Sequence, residues 1–410
     1  MDSFRCIKPC IESEFGKLEC VMLHSPGNEI ENMTPENAHK FLFSDILNKN
    51  EAMEDYKDFF GTLKKVSRVV IFDRLLEETL QNDEVKRKIV EKICTNEKVK
   101  YLTPILSEMN AAKLAKVLVE GFQANGLKER FVLDPIPNLF FMRDAAFTMF
   151  DNIIINKMAT NVRDRETILL DAIFKNTKLF DTEVVHPVER YTPCPGGSIE
   201  GGDVHIARHD IILSGMGIRT NRIGIDALVC HLKSKKTEKH LIFQELPSSP
   251  ESFIHLDMVF TLLGQNRCMA YKQVVMNNRF KTTHLIINGE SPVKVVEEEN
   301  LVSALNGLGM ELEPIWCGGD DDYTAAREQW HSGANFFSFA PGKILGYERN
   351  NHTIETLSNS GFEVLKASDV ASGAVNVDDY RQCVVTFKGN ELARGGGGAR
   401  CMTMPLVRKA

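Results

Sequence analysis

The sequence lacks the long apolar run that a membrane-spanning helix needs. No stretch of its 410 residues approaches the roughly 20 apolar residues required to cross a bilayer. The first residues, Met1 to Cys6, lack the apolar core of a secretory signal peptide. We therefore expect a soluble protein of the cytoplasm that has no membrane partner.

Paired metal-ligand motifs are also missing. The chain has ten cysteines but no Cys-x-x-Cys, and Cys6 and Cys10 have no histidine at the spacing of zinc ligands. Without a secretory segment, cysteines in a chain of this length are expected to be reduced thiols. We expect no structural metal.

The sequence has no excess of positive charge. Its 49 Lys and Arg against 56 Asp and Glu give a net charge of −7, which argues against a nucleic-acid partner. A mildly acidic protein suits a small cationic substrate, although net charge alone is weak support. With 43% hydrophobic and 26% charged residues, the composition is that of an ordinary globular protein. The length permits two or three domains or one large repetitive domain.

A run of four glycines, residues 395–398, lies near the C-terminus between Arg394 and Arg400, and Cys401 follows directly. Glycines contribute no side chain to packing, but they permit positive φ and a close backbone approach. No Gly-Lys-Ser/Thr follows, which excludes a phosphate loop. Two guanidinium groups and bare amides beside a thiol favour the thiolate. The alternative is a flexible turn before an ordinary buried cysteine, and it is favoured for an isolated glycine run.

The N-terminal third contains strand and helix patterns in turn. Residues 17–24 alternate and end at a Ser-Pro-Gly turn, residues 35–65 have helix-like spacing, and residues 69–72 form a short apolar run. Within residues 75–127, apolar residues recur every four positions with Lys and Glu between them, and Pro104 interrupts the pattern. This predicts an inserted helical subdomain.

A hairpin pattern then recurs four times. Each copy begins with a polar residue, continues as a short apolar strand, turns, and returns as a second apolar strand. The copies span residues 143–155, 202–213, 255–271 and 333–347. Residues 383–387 and 401–407, on either side of the glycines, are expected to form one more unit. The irregular period favours an α/β fold with units arranged radially over a linear solenoid.

In a radial arrangement the starts of the units converge on one axis. Asp144, Asp203, Asp257 and Cys401 would then lie near each other despite their distance in sequence. Buried carboxylates raise each other's pKa unless a cation joins them. A planar guanidinium binds carboxylates best because it offers parallel N–H groups.

A thiolate, two carboxylates and a histidine are the groups needed to attack a guanidinium carbon. The carboxylates would orient the carbon over the sulfur, and the histidine would protonate the leaving ammonia and then deprotonate water. Taken singly, His255 or Asp257 is more often structural than catalytic. A purely structural role is harder to accept for all four residues that stand at the starts of predicted strands, namely Asp144, Glu200, His255 and Asp257.

Five sequence blocks resemble those of the arginine deiminase family, part of the guanidino-group-modifying or pentein superfamily. The blocks are residues 137–144, 200–203, 215–220, 255–261 and 394–405. They follow the family order, and the blocks at 317–320, 327–330 and 24–29 are similar to the family as well. The resemblance implies a five-bladed α/β propeller of pseudo-repeats, a single catalytic domain over residues 1–410, with a helical insertion at residues 75–127.

The resemblance also implies a reaction. It is the hydrolysis of free L-arginine to L-citrulline and ammonia through a covalent S-alkylthiouronium intermediate, without a cofactor. By motif, Cys401 is the nucleophile and His255 the acid and base. Asp144 and Asp257 hold the guanidinium, and Glu200 binds it and works with His255.

Substrate-binding residues follow from the same motifs. The resemblance implies that Asn138, Arg163 and Arg219 bind the α-carboxylate and nearby backbone groups, and that Arg394 lies on a mobile loop over the site. Arg165 is the alternative to Arg163, and the Arg-x-x-Glu-Thr that begins at Arg163 favours the latter.

The chain departs from the family pattern after the Arg-Asp pair. The family commonly has proline there, whereas Ala145 follows Asp144 in this sequence. The tetraglycine suggests a loop more mobile than many in the family. Arg400 is adjacent to the nucleophile, and we assign it no catalytic role.

Other functions remain open at this point. An agmatine deiminase or an amidinotransferase of the same superfamily would share the guanidinium chemistry, but agmatine has no carboxylate for Arg163 and Arg219. An inactive arginine-binding protein with this fold is the alternative from another class. A protease-like or transglutaminase-like pairing of Cys and His is the least favoured, because an acidic cluster would repel an oxyanion. We expect L-arginine as the small-molecule partner, and a homo-oligomer.

Overall fold

The computed structural model describes residues 6–123, 131–192 and 195–409. In those ranges the chain forms eighteen β-strands and fifteen α-helices. The strands are β1 (Lys17–Leu23), β2 (Arg68–Ile71), β3 (Ala146–Met149), β4 (Asn152–Ile155), β5 (Glu183–Val185), β6 (Val204–Arg208), β7 (Ile211–Met216), β8 (Lys239–Glu245), β9 (Phe260–Gly264), β10 (Arg267–Ala270), β11 (Thr282–Ile287), β12 (Lys294–Glu298), β13 (Glu313–Trp316), β14 (Phe337–Ala340), β15 (Lys343–Tyr347), β16 (Glu363–Lys366), β17 (Cys383–Phe387) and β18 (Met404–Lys409). The helices are α1 (Asn28–Glu31), α2 (Lys49–Val66), α3 (Phe72–Leu80), α4 (Asp83–Asn96), α5 (Thr103–Ser107), α6 (Ala111–Glu120), α7 (Met142–Ala145), α8 (Asp164–Asn176), α9 (Pro187–Tyr191), α10 (Arg222–Ser234), α11 (Lys272–Val275), α12 (Leu301–Gly307), α13 (Asp322–Trp330), α14 (Asn351–Asn359) and α15 (Ala367–Ser372).

The strands of the described ranges form five separate sheets, and none of these sheets is closed. Their strand orders are β18-β1-β2, β3-β4-β5, β12-β11-β8-β7-β6, β13-β10-β9 and β14-β15-β17-β16. The architecture is therefore a mixed α/β fold with several small sheets. The radial arrangement of the units stays a prediction.

All four predicted hairpins are confirmed as antiparallel pairs. They are β3–β4, β6–β7, β9–β10 and β14–β15. In each unit the second strand also pairs in parallel with a later strand, namely β5, β8, β13 or β17. A parallel partner requires a crossover, and helices such as α8 and α10 supply it.

The prediction that residues 383–387 and 401–407 form one more hairpin is wrong. β17 lies between β15 and β16 and runs parallel to both. β18 instead pairs antiparallel with β1, which pairs in parallel with β2. The two ends of the chain thus assemble a fifth sheet with the same strand pattern as the other units. Local sequence could not show this, because the partner of β18 is nearly 400 residues away.

Helices α3, α4, α5 and α6 lie in the described part of the predicted helical region, and the inserted subdomain itself stays a prediction. Residues 124–127 of that prediction lie outside the described residues. Pro104 does not break a helix but occupies the first turn of α5. There its missing N–H would have no partner in any case.

The N-terminal predictions are confirmed in part. β1 and β2 match the two predicted strands, but α2 begins only at Lys49, well after residue 35. Asn48 caps it by accepting from the backbone N–H groups of Asn50 and Glu51, and this cap fixes the start of the helix. Within the described ranges, no helix combines the length and apolar character needed to cross a bilayer.

Candidate active site

Cys401 lies in the turn that leads into β18. Its carbonyl oxygen accepts a hydrogen bond from the N–H of Arg143 at 3.1 Å. The side chain is only 3% exposed. Asn335 donates from Nδ2 to Sγ at 3.2 Å, and the carboxylate oxygens of Asp257 lie 3.7 and 3.9 Å from Sγ. The sulfur therefore lies beside an acidic side chain.

The structure contradicts our expectation that flanking arginines favour the thiolate of Cys401. Burial raises the pKa of the Cys401 thiol well above its ordinary value, and Asp257 and Asp144 raise it further. Arg400 acts in the opposite direction but with a smaller effect. Arg394 directs its guanidinium to other carboxylates. At neutral pH these surroundings keep the sulfur as a thiol.

His255 and Glu200 form a buried ion pair. Nε2 of His255 lies 2.9 Å from Oε2 of Glu200, and Nδ1 lies 3.7 Å from Oδ1 of Asp144. Burial alone would lower the pKa of His255, but Asp144, Glu200 and Asp203 together raise it to about 9. Burial would likewise raise the pKa of Glu200, but the hydrogen bond with His255 and the charge of Arg219 help to lower it to about 2. At neutral pH the pair is imidazolium and carboxylate.

Asp144 and Asp257 each have one oxygen bound to a resident arginine. Oδ2 of Asp144 accepts from Arg163 at 2.7 Å, and Oδ2 of Asp257 accepts from Arg400 at 2.8 Å. Oδ1 of Asp144 has no hydrogen-bond partner among the described residues. Within the described part of the chain, Oδ1 of Asp257 has only the long contact with the sulfur of Cys401. Each aspartate can therefore accept a further N–H group from a ligand.

These groups adjoin a cavity with a volume of about 480 Å³. Predicted site residues that line it are Cys401, His255, Asp144, Asn138, Arg163, Arg219 and Arg394. Glu200 and Asp257 are fully buried and contact the lining residues His255 and Cys401. The structure thus brings all nine predicted residues to one place.

Asp203 lies outside the cavity, next to the backbone that carries His255. It is fully buried, and its Oδ1 accepts from the backbone N–H of Leu256 at 2.9 Å. Burial raises the pKa of Asp203 to about 7. The contact fixes the backbone directly after His255, so Asp203 supports the histidine from outside the cavity.

The three residues predicted to bind the substrate α-carboxylate differ in how many of their N–H groups already have partners in the protein. Nε and Nη1 of Arg219 have no hydrogen-bond partner in the part of the chain that the structure describes, although Nη1 is 3.9 Å from Glu200. Asn138 donates from Nδ2 to the carbonyl oxygen of Phe41. All three guanidinium nitrogens of Arg163 donate to protein oxygens. Of these three residues, Arg219 therefore has the most guanidinium nitrogens available for a ligand.

Arg165, the alternative to Arg163, is directed away from the cavity. Its Nε and Nη2 donate to the carboxylate of Glu97, the residue directly after α4, at 2.6 and 2.5 Å. It also donates to two backbone carbonyl oxygens, those of Leu118 and Asp134. Arg165 therefore attaches α8 to the inserted helices.

The glycine run packs closely against its neighbours. A Cβ added to Gly397 would lie 2.5 Å from the ring of Phe141, and Tyr347 donates to the carbonyl oxygen of Gly397. Gly396 has a φ of +81°, which favours glycine. Arg394 is 40% exposed at its side chain and forms ion pairs with Asp45 and Glu391.

Some buried polar residues that contact the site residues or their partners were not among the predicted set. They include Glu14, Glu166, Asn335 and Arg400. Asn335 opens the fourth hairpin, and Arg400 precedes the nucleophile, so position alone could have indicated both. Glu166 lies in the Arg-x-x-Glu-Thr that selected Arg163. Glu14 has no local signal, because its partner is 386 residues away.

The described residues contain no cluster of three or more His, Cys, Asp or Glu side chains arranged to hold a metal ion. We therefore assign no metal ligand. The polar groups at the cavity are instead arranged as two carboxylates, a sulfur and an imidazolium, with a free guanidinium at Arg219. This set offers carboxylate acceptors for a cationic group and guanidinium donors for an anionic group of one ligand.

Comparisons with known proteins identify the family of this chain. Residues 39–408 match the family model described as arginine deiminase. An arginine deiminase of Mycoplasma capricolum subsp. capricolum is 32% identical over 97% of this chain and 96% of its own length. An arginine deiminase of Borrelia garinii subsp. bavariensis is 31% identical over 97% of each chain.

Solved structures show the fold at lower identity. The N-terminal domain of ArgZ, an arginine dihydrolase from cyanobacteria, has a TM-score of 0.53 and 13% identity over 96% of this chain and 98% of its own. SxtG, an amidinotransferase from Microseira wollei, has a TM-score of 0.54 and 12% identity over 98% of each chain. At these identities the structures indicate fold and not activity. Together with the family match over residues 39–408, the conclusion is that this chain belongs to the arginine deiminase family.

Proposed function

We propose that this protein hydrolyses free L-arginine to L-citrulline and ammonia, with Cys401 as the nucleophile. The observation that carries the proposal is the convergence of Cys401, His255, Asp144 and Asp257 around one cavity. The full-length relatives named arginine deiminase support it.

We also propose that the five sheets are the blades of a propeller. Each sheet contains an antiparallel pair whose second strand has a further, parallel neighbour. Three of these blades would then each place one site residue at the inner end of the blade. These residues are Asp144, Asp257 and Cys401. This arrangement accounts for a site built from residues that are remote in sequence.

The substrate guanidinium would lie between Asp144 and Asp257. Each aspartate has one oxygen on a resident arginine, so the other oxygen is available for a guanidinium N–H group. At the other end of the ligand, Arg219 would bind the α-carboxylate through its free Nε and Nη1, with Asn138 beside it. Because this requires a carboxylate, the geometry favours arginine over agmatine.

Substrate binding would also activate the sulfur. The pKa of Cys401 is raised by burial, Asp257 and Asp144. A guanidinium cation placed between those carboxylates offsets their charge and lowers the pKa of the thiol. The thiol proton is then released to solvent as the substrate binds, so the thiolate forms only when its target is in place.

The first half-reaction forms the covalent intermediate. The thiolate of Cys401 adds to the guanidinium carbon, and His255 donates its proton to one nitrogen, which leaves as ammonia when the C–N bond breaks. The product is an S-alkylthiouronium cation and a neutral imidazole. Glu200 stabilises the imidazolium before transfer, and such proton transfer contributes roughly 10²- to 10⁴-fold in enzymes.

The second half-reaction releases citrulline. Neutral His255 takes a proton from water, and the hydroxide adds to the thiouronium carbon. The C–S bond then breaks, and the sulfur takes up the hydroxyl proton as the ureido C=O forms. The thiol and the imidazolium are restored, so the reaction cycle can start again with another substrate molecule.

Substitution of the nucleophile tests the proposal. Cys401→Ser is expected to lower citrulline formation by roughly 10⁴- to 10⁶-fold, because no other side chain supplies the covalent step. Cys230→Ser is the matched control, since Cys230 is a half-buried cysteine on α10. Mass spectrometry of quenched turnover should show an arginine-derived adduct on the peptide that contains Cys401. Equal loss in both variants, or an adduct elsewhere, would contradict the assignment.

A further inference from the structure

Asn335 lies beside the sulfur of Cys401, where the fourth hairpin begins. Its Nδ2 is 3.2 Å from Sγ, nearer than either carboxylate oxygen of Asp257. The Asn335 side chain is 2% exposed and carries no charge. The sulfur thus has a neutral hydrogen-bond donor next to its acidic neighbour.

The orientation of the Asn335 amide is fixed by its other partners. Its Oδ1 accepts from the backbone N–H of Arg400 at 2.9 Å, and Nδ2 also donates to the carbonyl oxygen of Asp257 at 3.1 Å. Turning the amide over would place its NH2 group against the N–H of Arg400, and its oxygen against the oxygen of Asp257. Both contacts therefore require that an N–H group, and not the amide oxygen, faces the sulfur.

The backbone around Asn335 is held as well. Its own N–H donates to the carbonyl oxygen of Ser332, and the carbonyl oxygen of Ala334 accepts from Thr261 on β9. Gly398 packs directly against the side chain, because a Cβ added there would lie 2.6 Å from Cβ of Asn335. The donor is therefore preorganised, as a group that stabilises developing charge must be.

A neutral donor offsets an effect that the acidic side chains have on the sulfur. Asp257 and Asp144 raise the pKa of the Cys401 thiol and so oppose the thiolate that the proposed reaction needs. Both carboxylates are nevertheless required, because they would hold the substrate cation. A hydrogen bond to the charged form favours that form, and the backbone N–H of Gly398 acts in this direction on the pKa of Cys401. Asn335 is placed to do the same.

We propose that Asn335 is a further catalytic residue, which donates from Nδ2 to Sγ of Cys401 and stabilises negative charge on the sulfur. The inference rests on the proposed function, in which Cys401 is the nucleophile. It makes the fourth hairpin another unit that supplies a functional group to the site.

The donor acts in both half-reactions, because the sulfur carries negative charge in both. In the first, the thiolate attacks the guanidinium carbon. In the second, the sulfur receives the electron pair of the C–S bond as that bond breaks. While the thiol form dominates, lowering its pKa raises the thiolate fraction in proportion, whereas nucleophilicity falls only by about the square root of that factor. A thiol of lower pKa also leaves faster, so the donor favours attack and departure alike.

Alkylation of Cys401 in protein without substrate tests this inference. Iodoacetamide is a small neutral reagent that reacts with the thiolate, and mass spectrometry of the peptide that contains Cys401 gives its rate from about pH 6 to 10. Asn335→Leu removes the donor at similar volume and should slow this alkylation about three- to tenfold, because the thiolate fraction falls more than nucleophilicity rises. Asn335→Asp keeps the acceptor for Arg400 but replaces the donor with an anion, so it should slow alkylation further.

Steady-state kinetics provide the second readout. In both variants kcat/KM for L-arginine should fall about 10²- to 10³-fold, as at other sites that lose one preorganised donor.

Asn300 supplies the matched control. It is also a buried asparagine whose Oδ1 accepts a backbone N–H, that of Ser303 at 2.8 Å, but it caps α12 and does not line the cavity. Asn300→Leu and Asn300→Asp should leave the alkylation rate of Cys401 and kcat/KM unchanged. Melting temperatures of all four variants report the loss of stability separately.

The inference is overturned if Cys401 is alkylated in the Asn335 variants at the rate of the unmodified protein. It is also overturned if these variants lower the melting temperature alone, as loss of a purely structural hydrogen bond does. One folded variant of the two is sufficient to decide. If alkylation slows as expected but the unmodified protein forms no citrulline from L-arginine, the proposed function is wrong and the donor role of Asn335 toward the sulfur stands.

Discussion

At the scale of single residues, the charge of His255 depends on its neighbours more than on its burial. Removal from water disfavours the imidazolium, but Asp144, Glu200 and Asp203 surround it with carboxylates and raise its pKa to about 9. The folded-state pKa lies above the ordinary value of about 6.5. The charge of His255 therefore contributes to the free energy of unfolding. This contribution is complete below a pH of about 6.5 and is lost as the pH rises through about 9.

The raised pKa of His255 also predicts the basic limb of the pH profile, which is the pH range in which kcat/KM falls as the pH rises. If imidazolium must protonate the leaving ammonia, kcat/KM should fall above pH of about 9, because kcat/KM follows the free enzyme. Glu200→Gln removes an anionic partner and should move this limb down by about one pH unit or more. The measurement is kcat/KM for L-arginine from pH 5 to 10, with the His255 resonance titrated by NMR.

Glu297→Gln is the control for this experiment, because Glu297 is exposed on β12 and pairs with Lys281. It should leave the limb in place. A limb that stays near pH 9 in the Glu200→Gln variant, or a His255 resonance that titrates near 6.5 in the unmodified protein, would contradict this account.

The sequence predicted the residues that carry functional groups better than those that hold them. Cys401, His255 and Asp257 lie in short blocks with recognisable order, so motif and position were sufficient to predict that they lie together. Glu14 was missed because its only signal is a contact made through the folded chain, with Arg400. The pKa of Cys401 was expected in the wrong direction for the same reason. Sequence proximity placed two arginines beside the thiol, whereas the fold directs both guanidiniums elsewhere.

At the scale of elements, the loop at residues 395–398 is a packed structure as well as a turn. Only Gly396 of the four has a positive φ. An added Cβ at Gly397 would meet the ring of Phe141, and one at Gly398 would meet the side chain of Asn335, which contacts the sulfur. Glycine is therefore required at Gly397 and Gly398 for close approach to two different side chains, and at Gly396 for a left-handed backbone.

Substitution of Gly397 tests this interpretation. Gly397→Ala brings a methyl group to 2.5 Å from Phe141 and should cost about 1–3 kcal/mol, as other overpacked sites do. Because Phe141 and Gly397 both line the cavity, kcat/KM should fall as well. Gly307→Ala is the matched control, since nothing lies within 4 Å of its added Cβ.

Urea unfolding and steady-state kinetics check both variants. A Gly397→Ala protein as stable and as active as the Gly307→Ala protein would show that the loop moves freely. In that case the packing of the loop against Phe141 would not represent the working enzyme.

Elements with local signals were predicted, and those that depend on the whole chain were not. The four hairpins have their own turns and alternating strands, so each is specified within about 15 residues. β18 has a strand pattern too, but nothing local distinguishes β17 from β1 as its partner. The start of α2 was predicted too early, because residues 35–48 have apolar spacing without a cap.

At the scale of the molecule, the inserted helices and the chain ends share one core. Leu76, Ile93 and Leu114 from α3, α4 and α6 pack in the same apolar cluster as Ile153 of β4 and Leu406 of β18. Helices that bury their apolar faces against a larger body derive most of their stability from that contact. We therefore expect α3 to α6 to unfold together with the sheets.

Leu406→Ala tests this coupling because Leu406 is fully buried in β18. It should destabilise the fold by about 2–5 kcal/mol, since it leaves a cavity in the shared cluster. Val364→Ala, at a residue that is 45% exposed, should stay within about 0.5 kcal/mol of the unmodified protein. Unfolding is followed by tryptophan fluorescence, which reports Trp316 and Trp330 outside the insertion, and by hydrogen exchange of α3 to α6. Leu406→Ala should move both signals to lower urea by the same amount. If the helices keep their own midpoint while the tryptophan signal shifts, the insertion folds independently of the sheets.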